Sequence, residues 1–497
     1  MRHLAKYSPL KSRSKAMILA SSIVSNSFIR KYGIFAVVLC LGLGYLYYTR
    51  VLYQTYIYNT LPMYQKSLKL KLSRHNHSNS NDRWQPIGDP ENRLQIYSAF
   101  FDPRLEIVET FPATDSKLPF GSVRIFTILP LNIRRRDFYC YFRYHNGVIR
   151  WQQADQVEAI HEHFEMPFAA SYVVCALTGE VGQQEIELPS EVGVSYDPKA
   201  ELSEEVNFVQ IHYPRERSPL DLLSRGPPER GLAVCVGPAH HNYSNAARIV
   251  EFVELWRLLG AERFYFYNKS ITPDVARVMS YYQNFRGIAQ VQEWNLEGYE
   301  FEKEVRYEGI FAALNDCLYR ATWEGDFRYA AMVDFDEVIF GFDQKTLVES
   351  LNQLDRFNLH SFNYAAVFFY DFFEEDFPPQ SRSSKNSYLY SQVRNLRTQI
   401  PLMHHNRSKY VAKGRNVIEA GNHFVWKAVR DSKEYQVPEA EGLLFHYRDK
   451  CVGYGCDSYK KDNRARRFDR IWQLVDGACG EIFPDKDGRC PRENDEN

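Results

Sequence analysis

Two aspartates two residues apart, in the segment Asp334-Phe335-Asp336, are the residues of this sequence best placed to do chemistry. The apolar residues 330–333 before them predict that both aspartates end a buried strand. In an extended segment, residues i and i+2 point to the same side, so both carboxylates face one ligand while Phe335 points away. Two such carboxylates repel each other, and a hard divalent cation, Mn²⁺ or Mg²⁺, keeps both ionised.

A divalent cation held in this way bridges a diphosphate and neutralises charge on a departing nucleoside diphosphate. Sugar transfer from a nucleotide sugar requires that chemistry. An Asp-X-Asp triplet alone is weak evidence, and its alternative is a solvated turn. Glu337, the next residue, is either a partner behind the metal ligands or a polar strand end.

The residues around the triplet predict an α/β domain over residues 227–497, with the element order of a nucleotide-binding half-domain. Predicted strands 231–237, 264–267, 289–294 and 329–333 alternate with predicted helices 248–259, 272–285 and 311–321. The sheet is expected to be mainly parallel and Rossmann-like. Ligands bind beyond the carboxyl ends of the strands in such sheets, where His240, Asn268, Trp294 and Asp334 fall.

Two further regions precede this domain. Short β-branched and alternating runs separated by turn residues predict a smaller β-rich domain over residues 93–226. Residues 51–92 have no sustained apolar period and are predicted to form a stem. With 44% hydrophobic residues the chain can bury both cores, and its net charge of -1 argues against a nucleic acid partner.

An uncharged apolar run at residues 33–48 predicts a single transmembrane signal-anchor over residues 32–50. Residues 1–31 carry basic but no acidic side chains, so the positive-inside rule makes them a cytoplasmic tail. Everything after residue 50 is then lumenal. A cleaved signal peptide is the alternative, but the run continues into Tyr47 and Tyr48 instead of a small-residue cleavage site.

Cysteines and glycosylation sequons agree with a lumenal placement. All cysteines except Cys40 follow the predicted anchor, and their even number fits disulfides in an oxidising compartment. Their pairing cannot be read from spacing alone. Asn-X-Ser sequons occur at Asn76, Asn242, Asn268 and Asn406.

Several motifs, in the right order, resemble glycosyltransferase family 92 over about residues 230–450. They are Val234-Cys235-Val236-Gly237-Pro238, the helix at 252–260, Phe264-Tyr265-Phe266-Tyr267-Asn268-Lys269-Ser270, Asn315-Asp316-Cys317-Leu318, Asp334-Phe335-Asp336-Glu337 and His446-Tyr447-Arg448. The resemblance implies a GT-A catalytic fold and an inverting, Mn²⁺-dependent transfer of galactose from UDP-galactose in β1,4 linkage. It also implies a glycan acceptor, an N-glycan or other glycoconjugate. Together with the predicted anchor, we expect a single-pass type II protein of the Golgi membrane.

The resemblance implies a metal site as well. Carried over by motif, Asp334, Asp336 and His446 are the expected metal ligands, with Asp334 near the ribose or a metal-bound water. The alternative for His446 is a core histidine that is hydrogen-bonded to backbone.

Contacts with the nucleotide sugar are expected from Pro238, Asn268, Asp334 and Arg448. Asn268 is alternatively a turn residue or a glycan acceptor. Lys413 and Arg415 also offer positive charge for a diphosphate, but surface cations are usually solvated.

Inversion needs a general base that deprotonates the acceptor hydroxyl. The segment after the predicted strand 365–369 offers Asp371, Glu374, Glu375 and Asp376. By resemblance to the GT-A plan we expect the base here, with Glu375 and Asp376 preferred over Asp371. A solvated acidic loop is the alternative.

Two other functions compete with a glycosyltransferase. The first is a catalytically silent, glycan-binding type II membrane protein, against which the two aspartates and His446 argue. The second is a metal-dependent phosphodiesterase, which would need a His-rich two-metal cluster that the sequence does not indicate.

Overall fold

The structure is a computed structural model that describes residues 42–44, 47–48, 68–71, 82–104, 107, 117–133, 137–180, 183–196, 206–213, 228, 230–341, 346–355, 358–373 and 375–493. The chain divides into two units, residues 1–64 and residues 65–497. In the first unit, the described residues 42–44 and 47–48 are helical. The predicted cytoplasmic tail lies outside the described residues, as do most of the predicted anchor and stem. Across the described part of the chain, no helix is long and apolar enough to span a membrane.

A nine-stranded, mainly antiparallel sheet occupies the first part of the second unit. Its order is β6-β5-β10-β11-β3-β4-β8-β7, with β2 paired to β3. The long strands β4 and β8 pair along most of their length and bury almost every side chain. The strands are β2 Gln85–Pro86, β3 Gln95–Asp102, β4 Lys117–Pro130, β5 Tyr139–Arg143, β6 Ile149–Gln153, β7 Gln156–Ala159, β8 Phe168–Glu180, β10 Glu191–Ser195 and β11 Phe208–His212, while β1 Lys69–Lys71 and β9 Glu185–Glu187 form a separate ribbon.

The α/β prediction for the following residues is confirmed by a seven-stranded sheet of order β14-β13-β12-β15-β20-β17-β23. Its first four strands are parallel, in the order 3-2-1-4 that is typical of nucleotide-binding half-domains. The elements are β12 Arg230–Ala239, α1 Ala246–Leu258, β13 Ala261–Asn268, α2 Pro273–Ser280, β14 Ala289–Glu293, α3 Ile310–Tyr319, β15 Phe327–Val333, α4 Leu347–Leu354, β17 Leu359–Tyr364, β20 Lys409–Ala412 and β23 Lys433–Val437.

A third sheet of three strands, ordered β16-β24-β18, stands beside the carboxyl end of β15. Two short ribbons, a one-turn helix at Tyr390–Val393 and a C-terminal helix lie around it, together with short 3-10 and π turns. The elements are β16 Glu337–Gly341, β18 Ala366–Tyr370, β24 Gly442–Arg448, the ribbons β19 Leu396–Thr398 with β25 Tyr459–Lys461 and β21 Val417–Ala420 with β22 Val425–Ala428, and α5 Ile471–Ile482.

Local signals in the sequence set the ends of α1. The Asn245 side chain accepts a hydrogen bond from the Arg248 backbone N–H at 2.9 Å, which satisfies one of the free donors of the first turn. Gly260, with φ of 100°, reverses the chain after the helix, a conformation that favours glycine. The helix therefore stops where β13 must begin.

The motif Asn315-Asp316-Cys317 on α3 is structural, because it ties both large sheets together. Asn315 Oδ1 accepts from the Tyr172 hydroxyl on β8 and from the Ala420 backbone N–H, each at 2.8 Å. A disulfide joins Cys317 to Cys235 on β12. The other disulfides are Cys140 with Cys175, Cys451 with Cys456 and Cys479 with Cys490, so every cysteine after the predicted anchor is paired.

Asp316 is the centre of a buried polar network between the same two sheets. It accepts hydrogen bonds from the Ser98 and Tyr267 hydroxyls, each at 2.5 Å. Arg320, one turn further along, lies 3.0 Å from Asp316 and 2.8 Å from Asp82. Since buried charges are tolerated only when they are paired, this network fixes how the β-rich sheet sits against α3.

The same network makes a prediction about pH. His212 on β11 is buried with Asp82 at 2.8 Å and Glu324 at 3.4 Å. Burial opposes its charge, but the two carboxylates raise the pKa of His212 to about 9. The folded side chain thus keeps a proton that the unfolded one loses near pH 6.5, so its stabilisation is complete below about pH 6.5 and lost toward pH 9.

We therefore expect the free energy of unfolding to fall by up to about 3 kcal/mol between pH 6.5 and pH 9, as measured by urea unfolding. This fall should disappear in His212→Asn and persist in the control His163→Asn. A His212→Asn protein that keeps the same pH dependence would contradict the assignment.

Candidate active site

Asp334 and Asp336 lie in a tight turn between β15 and β16. The Glu337 backbone N–H donates to the Asp334 carbonyl at 3.1 Å, and the Asp334 N–H donates to Glu337 Oε2 at 2.8 Å. The triplet is thus a turn and not the extended segment that strand alternation predicts. Phe335 nevertheless points away from the carboxylates, with its ring 5.5 Å from that of Phe266 in the core.

The structure brings Asp336 together with His446 and Arg448, which are more than a hundred residues later in the chain. His446 Nε2 lies 3.1 Å from Asp336 Oδ2, and Arg448 Nη1 lies 3.2 Å from the same oxygen. Antiparallel pairing of β16 with β24 sets this contact, because Glu337 stands directly opposite His446. The Tyr447 N–H also donates to the Asp336 carbonyl at 2.9 Å.

The charges of this cluster support each other. Burial opposes ionisation of Asp336, but His446, Arg248 and Arg448 hold the pKa of this carboxyl well below its usual range. Burial also opposes charge on His446, whereas Asp336 and Glu337 raise its pKa above the ordinary value. Asp336 therefore stays a carboxylate in the folded protein.

The donor types of this cluster suit a divalent metal, although Asp334 is not yet gathered with Asp336 and His446: the described residues whose three ligand atoms lie within 4.8 Å of one another are His240, His241 and Glu308. His446 Nε2 faces Asp336, while its Nδ1 lies 3.2 Å from Glu337 Oε1. Nε2 is therefore the imidazole nitrogen that would share a metal with Asp336. Carboxylate oxygens from Asp334 and Asp336 with one imidazole are a set that Mn²⁺ accepts.

Lys409 is a site residue that the sequence did not reveal. It begins β20, and its Nζ lies 3.1 Å from Asp334 Oδ2, 2.7 Å from Asn422 Oδ1 and 3.5 Å from Glu337 Oε2. Its side chain is only 2% exposed, yet the neighbouring carboxylates outweigh burial and raise its pKa. The one available signal was a lysine heading the otherwise apolar strand Tyr410-Val411-Ala412.

Glu337 is buried behind both aspartates and is not a solvated strand end. Burial, opposed by Lys409 and reinforced by Asp334, raises the pKa of Glu337 to about 7. Because its Oε2 accepts from the Asp334 backbone, Glu337 also holds the turn in shape.

Pro238 and Asn268 lie where the sequence predicted, at the carboxyl ends of two parallel strands. Pro238 pairs with Tyr267, and Asn268 ends β13 beside it. The lack of a side chain at Gly237 lets Ile310 pack close to this strand near the acidic turn. A Cβ at Gly237 would stand 2.9 Å from Ile310 Cδ1 and 4.0 Å from Asp334 Oδ1. These residues and Asp334 share one edge of the sheet.

A second group at this edge contains His240, His241 and Glu308, whose ligand atoms lie within 4.8 Å of one another. Sequence spacing could not show it, since Glu308 comes from the segment before α3. Lys269 Nζ already lies 3.0 Å from Glu308 and neutralises it. Burial and His241 lower the pKa of His240 while Glu308 and Asp334 oppose that shift, so the group lies within electrostatic reach of the acidic turn.

The two acidic residues preferred from sequence as the general base are held by other side chains. Arg466 and Lys461 lie 3.0 and 3.2 Å from Asp376, and they hold the pKa of this exposed carboxyl below its usual range. Glu375 accepts a hydrogen bond from the Tyr388 hydroxyl. A carboxylate bound to cations is a weak base, so the geometry does not favour Asp376.

Asp371 is better placed than either. It directly follows β18, which pairs with β24 so that Tyr370 stands opposite Arg448. The Asp371 N–H donates to the Arg448 carbonyl at 3.2 Å, and the residue is exposed. Of the described acidic residues in this segment, it is the one without an ion pair, while Glu374 lies outside the described residues.

Lys413 and Arg415 are not part of this site. Lys413 pairs with Asp355 at 2.7 Å, and Arg415 pairs with Asp326 at 2.8 Å. Lys413 follows the far end of β20, about 13 Å along the strand from Lys409. Arg448, whose side chain is 42% exposed, remains the sequence-predicted cation within reach of a diphosphate.

Lys409→Met tests the buried charge balance of the site. Without the ammonium, Asp334 and Glu337 lose their nearest cation, so we expect a loss of about 3 kcal/mol in the free energy of unfolding. Urea unfolding at pH 7.5 measures it, and Lys303→Met, at an exposed ion pair with Glu300, should cost less than about 1 kcal/mol. Equal stabilities of the two variants would refute the role of Lys409.

Comparison with solved structures finds glycosyltransferases, with low TM-scores that carry no argument about the fold. The mannosyltransferase PcManGT from Pyrobaculum calidifontis, in complex with GDP-Man and Mn²⁺, is 12% identical, covers 55% of this chain and 70% of its own, and has a TM-score of 0.24. Glucosyl-3-phosphoglycerate synthase from Mycobacterium tuberculosis, in complex with Mn²⁺, UDP-glucose and phosphoglyceric acid, is 10% identical, covers 51% and 80%, and also scores 0.24.

Sequence comparison is more informative. β-1,4-Galactosyltransferase galt-1 from Caenorhabditis elegans is 27% identical over 264 residues, which are 49% of this chain and 55% of that protein. The chain thus spans about half the length of this curated relative. Residues 230–479, half of the chain, match the model of glycosyltransferase family 92. With the acidic turn, His446 and Arg448 gathered inside the matched region, the chain belongs to glycosyltransferase family 92.

Proposed function

We propose that this glycosyltransferase is an inverting, Mn²⁺-dependent enzyme of the GT-A type that moves galactose from UDP-galactose to a glycan in β1,4 linkage. The observation that carries the proposal is the convergence of Asp336, His446 and Arg448 at the carboxyl end of β15. The name of the galt-1 relative supports the galactose donor and the linkage.

The metal is proposed to be held by Asp334, Asp336 and His446. When bound, it supplies positive charge to the departing nucleoside diphosphate. Arg448 pairs with Asp336 and is partly exposed. It can therefore donate a charge-assisted hydrogen bond to a phosphate oxygen of the same diphosphate. Lys409 forms an ion pair with Asp334, while Pro238 and Asn268 are proposed to line the nucleotide end of the sheet.

Asp371 is the proposed general base. In one in-line displacement, the acceptor oxygen bonds to the anomeric carbon as the bond from that carbon to the diphosphate oxygen breaks. The acceptor hydroxyl proton passes to the Asp371 carboxylate. The position of Asp371, next to Arg448 and free of ion pairs with the described residues, supports this role.

A lumenal, Golgi placement as a single-pass type II membrane protein is part of the proposal. Four disulfides among the described cysteines support an oxidising compartment. The expected acceptors, N-glycans or other glycoconjugates, are available there.

Asp336→Asn tests the metal site. We expect galactose transfer from UDP-galactose to fall at least about 100-fold, because the metal contributes several kcal/mol of charge stabilisation. The full-length chain is assayed with Mn²⁺ and with EDTA, against a panel of nucleotide sugars and a simple phosphodiester. Asp485→Asn, which removes an exposed carboxylate paired with Arg277, should retain activity.

Two outcomes would contradict the proposal. Full activity of Asp336→Asn would exclude the metal role. A native protein that binds glycans but turns over no nucleotide sugar with any metal would be the silent binding protein instead.

Asp371→Asn tests the base. Transfer should fall by about 10² to 10⁴ while the Kd for UDP-galactose stays the same, because the donor does not need this carboxylate. Asp376→Asn should change transfer less than about threefold, since its carboxylate is held by Arg466 and Lys461. The opposite ranking of the two variants would move the base to Asp376.

A further inference from the structure

An aromatic ladder runs from His446 to the protein surface. The Phe368 ring packs 5.0 Å from the His446 ring, Tyr370 stacks on Phe368 at 5.6 Å and 3°, and Phe372 stacks on Tyr370 at 5.2 Å and 12°. Residues two apart on a strand share a face, which is why these three rings line up along β18 and the turn after it. The ladder therefore starts at the metal site and ends beside Asp371.

The last ring of the ladder is open to solvent. Phe372 is 54% exposed although Tyr370, on which one of its faces lies, is buried. Phe373, which is itself buried, packs 4.9 Å from both Phe372 and the exposed Tyr459 and so joins the two exposed rings; these three residues are called the aromatic patch. Two exposed rings on one buried support expose more apolar surface than a scattered single ring, which needs no explanation.

The ladder is held rigid from behind. Tyr454, in the short loop closed by the Cys451 to Cys456 disulfide, stacks over Phe368 at 9°. The Tyr370 hydroxyl donates to the Tyr454 carbonyl at 2.9 Å. Because its support is fixed, Phe372 presents a preformed ring face at little entropic cost on binding.

We propose that the aromatic patch binds an outer sugar ring of a neutral oligosaccharide acceptor. This inference rests on the proposed function and extends it to the acceptor. The C–H face of a pyranose carries small positive partial charges and packs on the negative face of an aromatic ring. Phe372 offers such a face next to Asp371, and two ring steps separate it from the ring that touches His446.

The position of the patch determines which sugar it contacts. The reacting sugar must lie at Asp371 and the metal ligands, so Phe372 contacts a ring further from the acceptor hydroxyl. Charge favours a neutral glycan, because an acidic residue, Asp371, precedes Phe372 and the cations of β25 are already paired, Lys460 with Glu439 and Lys461 with Asp376. The acceptor KM is thus expected to depend on acceptor length through the contact with Phe372.

The test is the dependence of acceptor KM on acceptor length. The full-length protein is assayed with a desialylated N-glycan, with enzymatically shortened forms of it, and with the methyl glycoside of its terminal sugar. In Phe372→Ala, KM for the long acceptors should rise about tenfold, with unchanged kcat, unchanged KM for the methyl glycoside and unchanged hydrolysis of UDP-galactose. Phe372→Trp should restore the native KM.

Phe285→Ala is the matched control. Phe285 is also exposed, at 72%, and also stacks on a tyrosine, Tyr281, at 5.4 Å. It precedes β14, an edge strand of the seven-stranded sheet, whereas Phe372 follows β18 of the three-stranded sheet. This variant should leave every KM unchanged. If Phe372→Ala raised KM equally for all acceptor lengths, or did not raise it at all, the proposal that the aromatic patch binds an outer sugar ring would be wrong.

Binding of the same glycans by isothermal titration calorimetry separates the two proposals. If the native protein turns over no donor but loses glycan affinity in Phe372→Ala, the transferase proposal fails and the patch stands as a glycan-binding surface. If the native protein transfers galactose and Phe372→Ala binds and uses long acceptors normally, the patch alone fails.

Discussion

Three carboxylates crowded into four residues, Asp334 to Glu337, are the constraint on which the rest of the site depends. Ionised carboxylates at this spacing repel each other, and burial increases the cost. Side chains from strands that are distant in the sequence offset this repulsion. Lys409 of β20 pairs with Asp334, and His446 and Arg448 of β24 pair with Asp336. The proposed metal would add to an electrostatic balance that the side chains have already established.

The scaffold under this turn is unusually polar at its centre. Asp316 on α3 joins Ser98 of the β-rich sheet to Tyr267 of the parallel sheet, and Arg320 extends the network to Asp82. A satisfied buried network is directional, so it fixes one arrangement of the two sheets where apolar packing alone would tolerate several. The family motif around Asn315 therefore serves architecture, and the chemistry lies elsewhere.

The small sheet β16-β24-β18 connects the two halves of the proposed mechanism. Its first strand leaves the acidic turn, its middle strand carries His446, and its last strand ends at Asp371 and Phe372. The proposed nucleotide contacts Pro238 and Asn268 belong instead to the carboxyl ends of β12 and β13 in the large sheet. The proposal thus places the donor on the large sheet and the acceptor on the small one.

The sequence by itself determined the α/β class and the succession of the first strands and helices, and it named Asp334, Asp336 and His446 as candidates, because periodicity and short motifs are local or family properties. Only the tertiary structure decided which charged side chains pair with one another. Lys409 resembles any strand-end lysine until β20 pairs with β15, and the exposed Asp371 is distinguished from Asp376 by Arg466, ninety residues away. Ion pairs between residues this far apart are set by strand pairing, which a single sequence does not encode in any local pattern.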